Sequence, residues 1–103
     1  VVVKDELLEA HPDLAPAVFA AFAAAKRLYV ERLRADAIEA PTPTDLMYRR
    51  VMEITHDDPL PYGIAPNRPM IEQLIAHAVR QGILHRPPAV EDLFPASTHD
   101  LTA

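Results

Sequence analysis

The sequence predicts a mainly α-helical chain of about three to four helices, preceded by one short β-strand. Two observations predict helices rather than sheets. Apolar residues recur at spacings of three and four in long Ala-rich stretches. Only two glycines accompany eleven prolines, and none of the Asn-Gly, Asp-Gly or Gly-Gly pairs typical of β-hairpins is present. At 103 residues, the chain is a single domain or part of a larger one.

The composition excludes several classes of function. The formal net charge is −5 and there is no basic cluster, so we expect neither nucleic acid nor an anionic membrane surface as a partner. The chain has no cysteine, which excludes disulfide scaffolds, Cys-ligated zinc and thiol catalysis. The five histidines have no His-x-x-x-His spacing, and the two glycines cannot form a phosphate-binding loop. We therefore expect no metal and no cofactor.

The first segment is predicted to be a strand. Residues 1–3 are three valines, followed at once by Lys4-Asp5-Glu6, which is typical of a strand that runs into a helix. A lone strand leaves its backbone groups unpaired, and the remaining sequence offers no partner strand. We therefore expect residues 1–94 to be the C-terminal part of a larger protein whose sheet lies upstream.

Two helices are predicted next, over residues 5–10 and 13–38. Pro12 disfavours helical geometry at His11 and so ends the first, and Asp13 is expected to cap the second. Lys26 and the other charged residues of the second helix are expected to be solvated. Its buried stripe is expected to contain Leu14, Val18, Phe22, Ala25, Tyr29 and Leu33.

Two further helices are predicted over residues 45–54 and 68–81, with Thr44 and Asn67 as their N-caps. Gly82 followed by Ile83 indicates a Schellman ending for the last helix, and residues 95–103 are expected to form a disordered tail. The residues expected to be buried are Leu46 or Met47, Val51 and Ile54 in the first of these helices, and Met70, Ile71, Leu74, Ile75 and Ala78 in the second.

The segment between these two helices carries a specific pattern. It reads Asp57-Asp58-Pro59-Leu60-Pro61-Tyr62-Gly63-Ile64-x-x-Asn67-Arg68, and Gln81-Gly82-Ile83, Arg86-Pro87 and Glu91-Asp92-Leu93-Phe94 follow it. Together with Leu7-Leu8-Glu9-x-His11-Pro12 and the long Ala-rich helix, this pattern resembles the C-terminal end of the 4,5-dihydroxyphthalate decarboxylase family. The resemblance spans nearly the whole chain and is most specific from Asp57 to Asn67.

The resemblance implies a parent protein with the two α/β lobes of type II periplasmic binding proteins and a ligand cleft between them. Named family members are lyases of phthalate degradation that convert 4,5-dihydroxyphthalate to 3,4-dihydroxybenzoate and carbon dioxide. The implied partner is therefore a small aromatic dicarboxylate, and the analogy with aromatic degradation implies a cytoplasmic location. This chain alone would be inactive, because most of the cleft would be missing.

The dense polar cluster on the irregular segment supplies the candidate site residues. Tyr62 or His56 could move protons, and Asp58 is a third catalytic candidate. Asn67 and Arg68 are the candidates for binding substrate, since an arginine fork can hold a carboxylate with two hydrogen bonds. Each residue also has a purely structural interpretation: turn formation for Asp58, helix capping for Asn67 and packing for Tyr62.

Two other functions stay open at this point. A solute-binding protein of a transporter would share the two-lobed fold, would bind its ligand without catalysis and would work in the periplasm. An independent helical interaction module is the third hypothesis. In either fragment hypothesis, the apolar face that would meet the missing lobes favours self-association of this chain.

Overall fold

The computed structural model describes all 103 residues, and it confirms that the chain is mainly helical. The four helices are α1 (Asp5–Ala10), α2 (Leu14–Arg34), α3 (Pro43–Thr55) and α4 (Ile64–Arg80). Two short 3-10 turns follow at Glu91–Leu93 and Ala96–Thr98. Helix α2 is the central element, because α1, α3 and the second 3-10 turn all pack against it.

The predicted strand at residues 1–3 is not observed, and the structure contains no strand at all. Val1 and Val2 are 92% and 100% exposed. A strand requires a neighbour that pairs with its N–H and C=O groups, and no segment of this chain lies in that position. The β-propensity of valine alone therefore does not produce a strand here.

The observed helix ends differ from the predicted ones for local reasons. Helix α2 ends at Arg34 rather than at residue 38, because Asp36 adopts a left-handed conformation with φ 54° and Ala37 N–H donates to the Arg32 carbonyl. Helix α3 begins at Pro43, since Thr42 rather than Thr44 is its N-cap. The Thr42 hydroxyl accepts from the Asp45 N–H, while the Asp45 carboxylate accepts from the Thr42 N–H.

The last helix was predicted to start at residue 68 but begins four residues earlier, at Ile64. Pro66 is compatible with this start, because the first turn of a helix needs no N–H donor at that position. Helix α4 ends at Arg80, one residue before the predicted end, and its Schellman ending lies at the predicted glycine. Gly82 has φ 73°, and the N–H groups of Gly82 and Ile83 donate to the carbonyls of Val79 and Ala78 in the Schellman pattern.

Helix α3 packs with its polar side inward. Asp45 is buried and Arg49 is half-buried, whereas Leu46, Met47 and Ile54 are all more than half exposed. The predicted burial of an apolar face on α3 is therefore wrong. The rotation of the helix is set by the hydrogen bond from the Tyr29 hydroxyl to Asp45, which requires the face carrying Asp45 to point toward α2.

The buried stripe of α2 is also rotated from the predicted one. Lys26, Val30 and Leu33 are its buried residues, while Phe22 and Leu28 are largely exposed. The expectation that Lys26 is solvated is wrong. Lys26 is buried, and its ammonium group binds the carboxylate of Asp58, which lies in the segment between α3 and α4.

The hydrophobic core is small. Only seven of the 103 residues are buried, and the one clustered core consists of Ile64, Ile75 and Val90, with Ile71 packed against it. The Cα radius of gyration is 16.5 Å, against about 13 Å for a compact domain of this length. The chain therefore leaves much of its apolar surface open to solvent.

The tail, residues 95–103, is ordered by hydrogen bonds rather than disordered as predicted. Tyr62 and Ala103 exchange two backbone hydrogen bonds, with N–O distances of 2.7 and 3.2 Å. Nε2 of His99 lies 3.0 Å from the Phe94 carbonyl oxygen and 3.2 Å from that of Glu91. The tail has no apolar periodicity, so its position depends on these hydrogen bonds. Sequence periodicity does not reveal such bonds.

Candidate functional site

The segment from Thr55 to Gly63 is held by a series of turn hydrogen bonds. His56 takes a left-handed conformation at the end of α3, with φ 57°, and its side chain is exposed without a hydrogen bond. The Asp57 carboxylate accepts from the Asp58 N–H at 2.7 Å, and the Asp58 carboxylate accepts from the Leu60 N–H at 2.9 Å. The two aspartates therefore build the turn that precedes Tyr62.

Three of the side chains at this site converge on one point. The Lys26 ammonium donates to Oδ2 of Asp58 at 2.5 Å and lies 5.0 Å from the centre of the Tyr62 ring. The Tyr62 ring also packs edge-on against Phe19, with 6.5 Å between ring centres. Lys26 thus joins α2 to the turn through an ion pair and a cation–π contact.

The surroundings of Asp58 shift its acidity in opposing directions. Partial burial raises the pKa of this carboxyl, while the hydrogen bond from Lys26, the Leu60 N–H and the positive charges of Lys26 and Arg34 lower it. The net result is a pKa below the usual value for aspartate. The carboxylate is therefore stabilised as an anion in the folded chain.

The ion pair predicts a defined pH dependence for the variant Lys26→Met. Because the folded-state pKa of Asp58 is lowered, its contribution to stability is present above the unfolded-state pKa, about 4, and is lost as the pH falls further. At pH 7 we expect Lys26→Met to lower the free energy of unfolding because the ion pair with Asp58 is lost. The loss should be only about 1 kcal/mol, since the partly exposed Asp58 regains some hydration. The difference from wild type should shrink at pH 3.

Urea unfolding at the two pH values measures this effect, and Lys4→Met is the matched control. Lys4 is exposed and has no ion-pair partner in the chain, so its replacement should change little at either pH. An equal loss for Lys26→Met at pH 7 and pH 3 would contradict the role given to the ion pair.

Asn67 lies in the first turn of α4 and does not cap the helix as predicted. Its side-chain amide donates to the carbonyls of Pro61 and Gly63, at 2.8 and 2.9 Å. A capping side chain would instead accept a hydrogen bond from a backbone N–H. Asn67 therefore fixes the path of the chain that enters α4.

Arg68 pairs with two carboxylates and not with Asp58 or Tyr62. It donates a hydrogen bond to Glu91 and lies 3.7 Å from Glu72. The hydrogen bond with Glu91 raises the pKa of Arg68, and the same bond lowers the pKa of Glu91. The guanidinium is thus engaged within the chain, although its side chain is 41% exposed.

A wide apolar groove lies beside the candidate residues. Its volume is about 920 Å³, and it is lined by parts of residues 1–8, 15–22, 61–71 and 92–98. Tyr62 and Asn67 are among its polar lining residues, and Asp5 and Asp92 are the charged side chains in its lining. We call this feature the apolar groove.

The structure therefore brings some of the predicted residues together and separates others. Asp58 and Tyr62 meet through Lys26, and Tyr62 and Asn67 both line the apolar groove. His56 and Arg68 point elsewhere. Lys26 was missed by sequence reasoning, although a signal was present: it falls four residues after Phe22 and three before Tyr29, within the apolar spacing of α2.

A second polar cluster joins α2 to α3. The Tyr29 hydroxyl donates to the Asp45 carboxylate, and the rings of Tyr29 and Tyr48 pack edge-on at 6.4 Å. The hydrogen bond to Asp45 raises the pKa of Tyr29 to about 12, and bonds from Thr42 and Tyr29 lower the pKa of Asp45. Arg49 adds an ion pair with Asp36 at 2.7 Å.

This cluster predicts that Tyr29→Phe loosens the contact between α2 and α3. We expect the free energy of unfolding to fall by about 0.5–1 kcal/mol, because one hydrogen bond is lost while the Asp45 carboxylate keeps its bonds from Thr42. Tyr48→Phe is the matched control, since the Tyr48 hydroxyl makes no hydrogen bond and its removal should have almost no effect. Urea unfolding of both variants measures the difference, and equal losses would refute the assignment.

No group of three or more His, Cys, Asp or Glu side chains is arranged to hold a metal ion. None of the helices combines the length and the hydropathy that crossing a membrane would require. No family model, curated protein or solved structure matches this chain.

Proposed function

We propose that this chain is the C-terminal part of a two-lobed protein that decarboxylates a dihydroxylated aromatic dicarboxylate and that the chain alone is inactive. The observation that carries the proposal is the residue pattern from Asp57 to Arg68, with its continuation at residues 81–94, which resembles the 4,5-dihydroxyphthalate decarboxylase family. On this proposal the parent is a lyase of aromatic degradation and works in the cytoplasm.

The packing of the chain supports the part of the proposal that concerns missing lobes. Seven buried residues are few for 103, and α3 presents Leu46, Met47 and Ile54 to solvent. An apolar groove of about 920 Å³ opens beside the segment that carries the pattern. Such surfaces are rarely left uncovered in a soluble protein, so they favour a chain that evolved to pack against further polypeptide.

The proposed chemistry assigns a role to each candidate side chain. Decarboxylation requires a proton donor at the ring carbon that loses the carboxylate and a cationic or N–H group that holds the carboxylate that stays. On this proposal Tyr62 is the proton donor at the edge of the groove, and Asp58 with Lys26 holds its ring in position. His56 would have to be brought to the cleft by the missing lobes, because here it is exposed to solvent.

Substrate binding by Asn67 and Arg68 requires a change in their present partners. Asn67 donates both its hydrogen bonds to backbone carbonyls, and Arg68 donates to Glu91. The same requirement holds for the second candidate function, a transporter-type solute-binding protein that would hold its ligand without catalysis.

One experiment separates the two functions. The longer protein that contains these residues should release carbon dioxide from 4,5-dihydroxyphthalate, and Tyr62→Phe should abolish most of this turnover. Tyr48→Phe is the matched control, since Tyr48 lies in the cluster between α2 and α3 and does not line the groove. Binding of the dicarboxylate without turnover would reject the decarboxylase and support the solute-binding protein.

A further inference from the structure

The apolar groove has two acidic side chains and no basic side chain in its lining. Asp5 and Asp92 are its charged lining residues, and neither carboxylate has an ion-pair partner within the chain. The groove walls contain Phe22, Met70 and Leu93, which are each about half exposed or more. The groove therefore fits an apolar segment that also carries a positive charge.

Helix α3 presents a segment of this kind on its outer side. Leu46, Met47 and Ile54 are 51%, 52% and 65% exposed, and Arg50 lies between them on the same face. The Arg50 side chain is 71% exposed and its one partner is Glu53, three residues away on the helix surface. Such an exposed pair is weak, so the guanidinium retains free N–H donors for a carboxylate. We call this face the α3 stripe.

The two surfaces also match in length. The wall of the groove on α2 extends from Ala15 to Phe22, eight residues that span about 10 Å along the helix axis. The α3 stripe extends from Leu46 to Ile54, nine residues that span about 12 Å, which is close to the length of the groove wall. The inner side of α3 is already occupied by α2 through Asp45, which leaves the stripe free to bind elsewhere.

We propose that the apolar groove of one copy of this chain binds the α3 stripe of a second copy. Each copy carries both surfaces, so any two copies supply a complete contact. The apolar side chains of the stripe fill the groove, and Arg50 meets the acidic side chains of its lining, Asp5 and Asp92. The contact joins two different surfaces, which makes it testable by complementation. This inference describes the chain of 103 residues by itself, since in the longer protein of the proposed function further polypeptide would cover the same two surfaces.

The test uses one variant on each surface, both at highly exposed positions. Met70→Glu places a charge in the groove and Ile54→Glu places one on the stripe. Sedimentation velocity over a wide concentration range should show association of the wild type and at least about tenfold weaker association of each variant alone, the equivalent of 1.4 kcal/mol. An equimolar mixture of the two variants should form a dimer of twice the 11.4 kDa monomer mass.

The mixture should associate because the Ile54→Glu variant retains an intact groove and the Met70→Glu variant retains an intact stripe. Leu74→Glu is the matched control: Leu74 is 68% exposed on α4, one turn from Met70, and does not line the groove. It should associate as the wild type does. Far-UV circular dichroism checks folding, and Phe22→Ser replaces Met70→Glu should that variant lose helicity. A monomeric wild type, or a mixture that stays monomeric, would overturn the inference.

Discussion

The variant Leu33→Ala should cost about 2–5 kcal/mol of unfolding free energy, the largest loss expected from any single apolar truncation in this chain. Leu33 is 2% exposed and is the most deeply buried large side chain. Its truncation removes buried apolar area and leaves a cavity that the rigid helix cannot fill. Since the whole chain buries only seven residues, this loss is a large fraction of its stability.

Leu28→Ala is the control that separates burial from helix propensity. Leu28 lies on the same helix and undergoes the same chemical change, but it is 59% exposed. The change in intrinsic helix propensity is shared by both variants, so the difference between them measures packing. Urea unfolding should show a change within about 0.5 kcal/mol for Leu28→Ala. Similar losses for the two variants would show that α2 has no distinct buried face.

Local sequence rules predicted the helices and some of their ends. The Schellman ending at Gly82 follows from one glycine and its neighbours, and the structure has it at that position. The start of α3 was placed at the wrong threonine, although Thr42 and Asp45 have the spacing of a capping box. Helix caps depend on residues only a few positions apart. They can therefore be predicted from the sequence alone, provided that every possible capping residue is compared.

The rotation of the helices could not be predicted in the same way. Lys26 is buried because Asp58, thirty-two residues further along the chain, meets its ammonium group. The inward face of α3 is chosen by Tyr29 and Asp45, which are sixteen residues apart. Hydrophobic periodicity is evaluated for each helix alone. It therefore cannot predict polar contacts between helices, and here such contacts decide which face of a helix is buried.

The sequence predicted that the candidate residues lie close together along the chain, but it did not predict their contacts in the folded structure. The position of Asp58 and Tyr62 on one irregular segment was visible in the sequence, since prolines and a glycine disfavour regular structure there, and Asn67 follows closely in the first turn of α4. Their partners were not visible, because they come from α2, from backbone carbonyls and from the tail. Tyr62 in particular pairs its backbone with Ala103, at the far end of the chain.

Gly63→Ala should detach the tail from this segment. Gly63 has φ 111°, which residues with a Cβ rarely adopt, and a Cβ at this position would lie 2.3 Å from the Leu101 carbonyl oxygen. The backbone conformation alone costs about 1–3 kcal/mol for a residue other than glycine. The contact with the backbone of the tail adds to this cost, so we expect the pairing between Tyr62 and Ala103 to break. Hydrogen exchange at these two amides should accelerate to the rate of an open chain.

Gly82→Ala supplies the comparison that isolates the close approach of the tail. Gly82 also has a positive φ, 73°, but a Cβ there would meet nothing within 4 Å. Its replacement should therefore lower stability by about 1 kcal/mol without changing exchange at Tyr62 or Ala103. If Gly63→Ala left these amides protected, the tail would be able to shift and keep its pairing. The backbone of Tyr62 would then be positioned without Gly63, and the close packing of the tail would not be required to hold the candidate site.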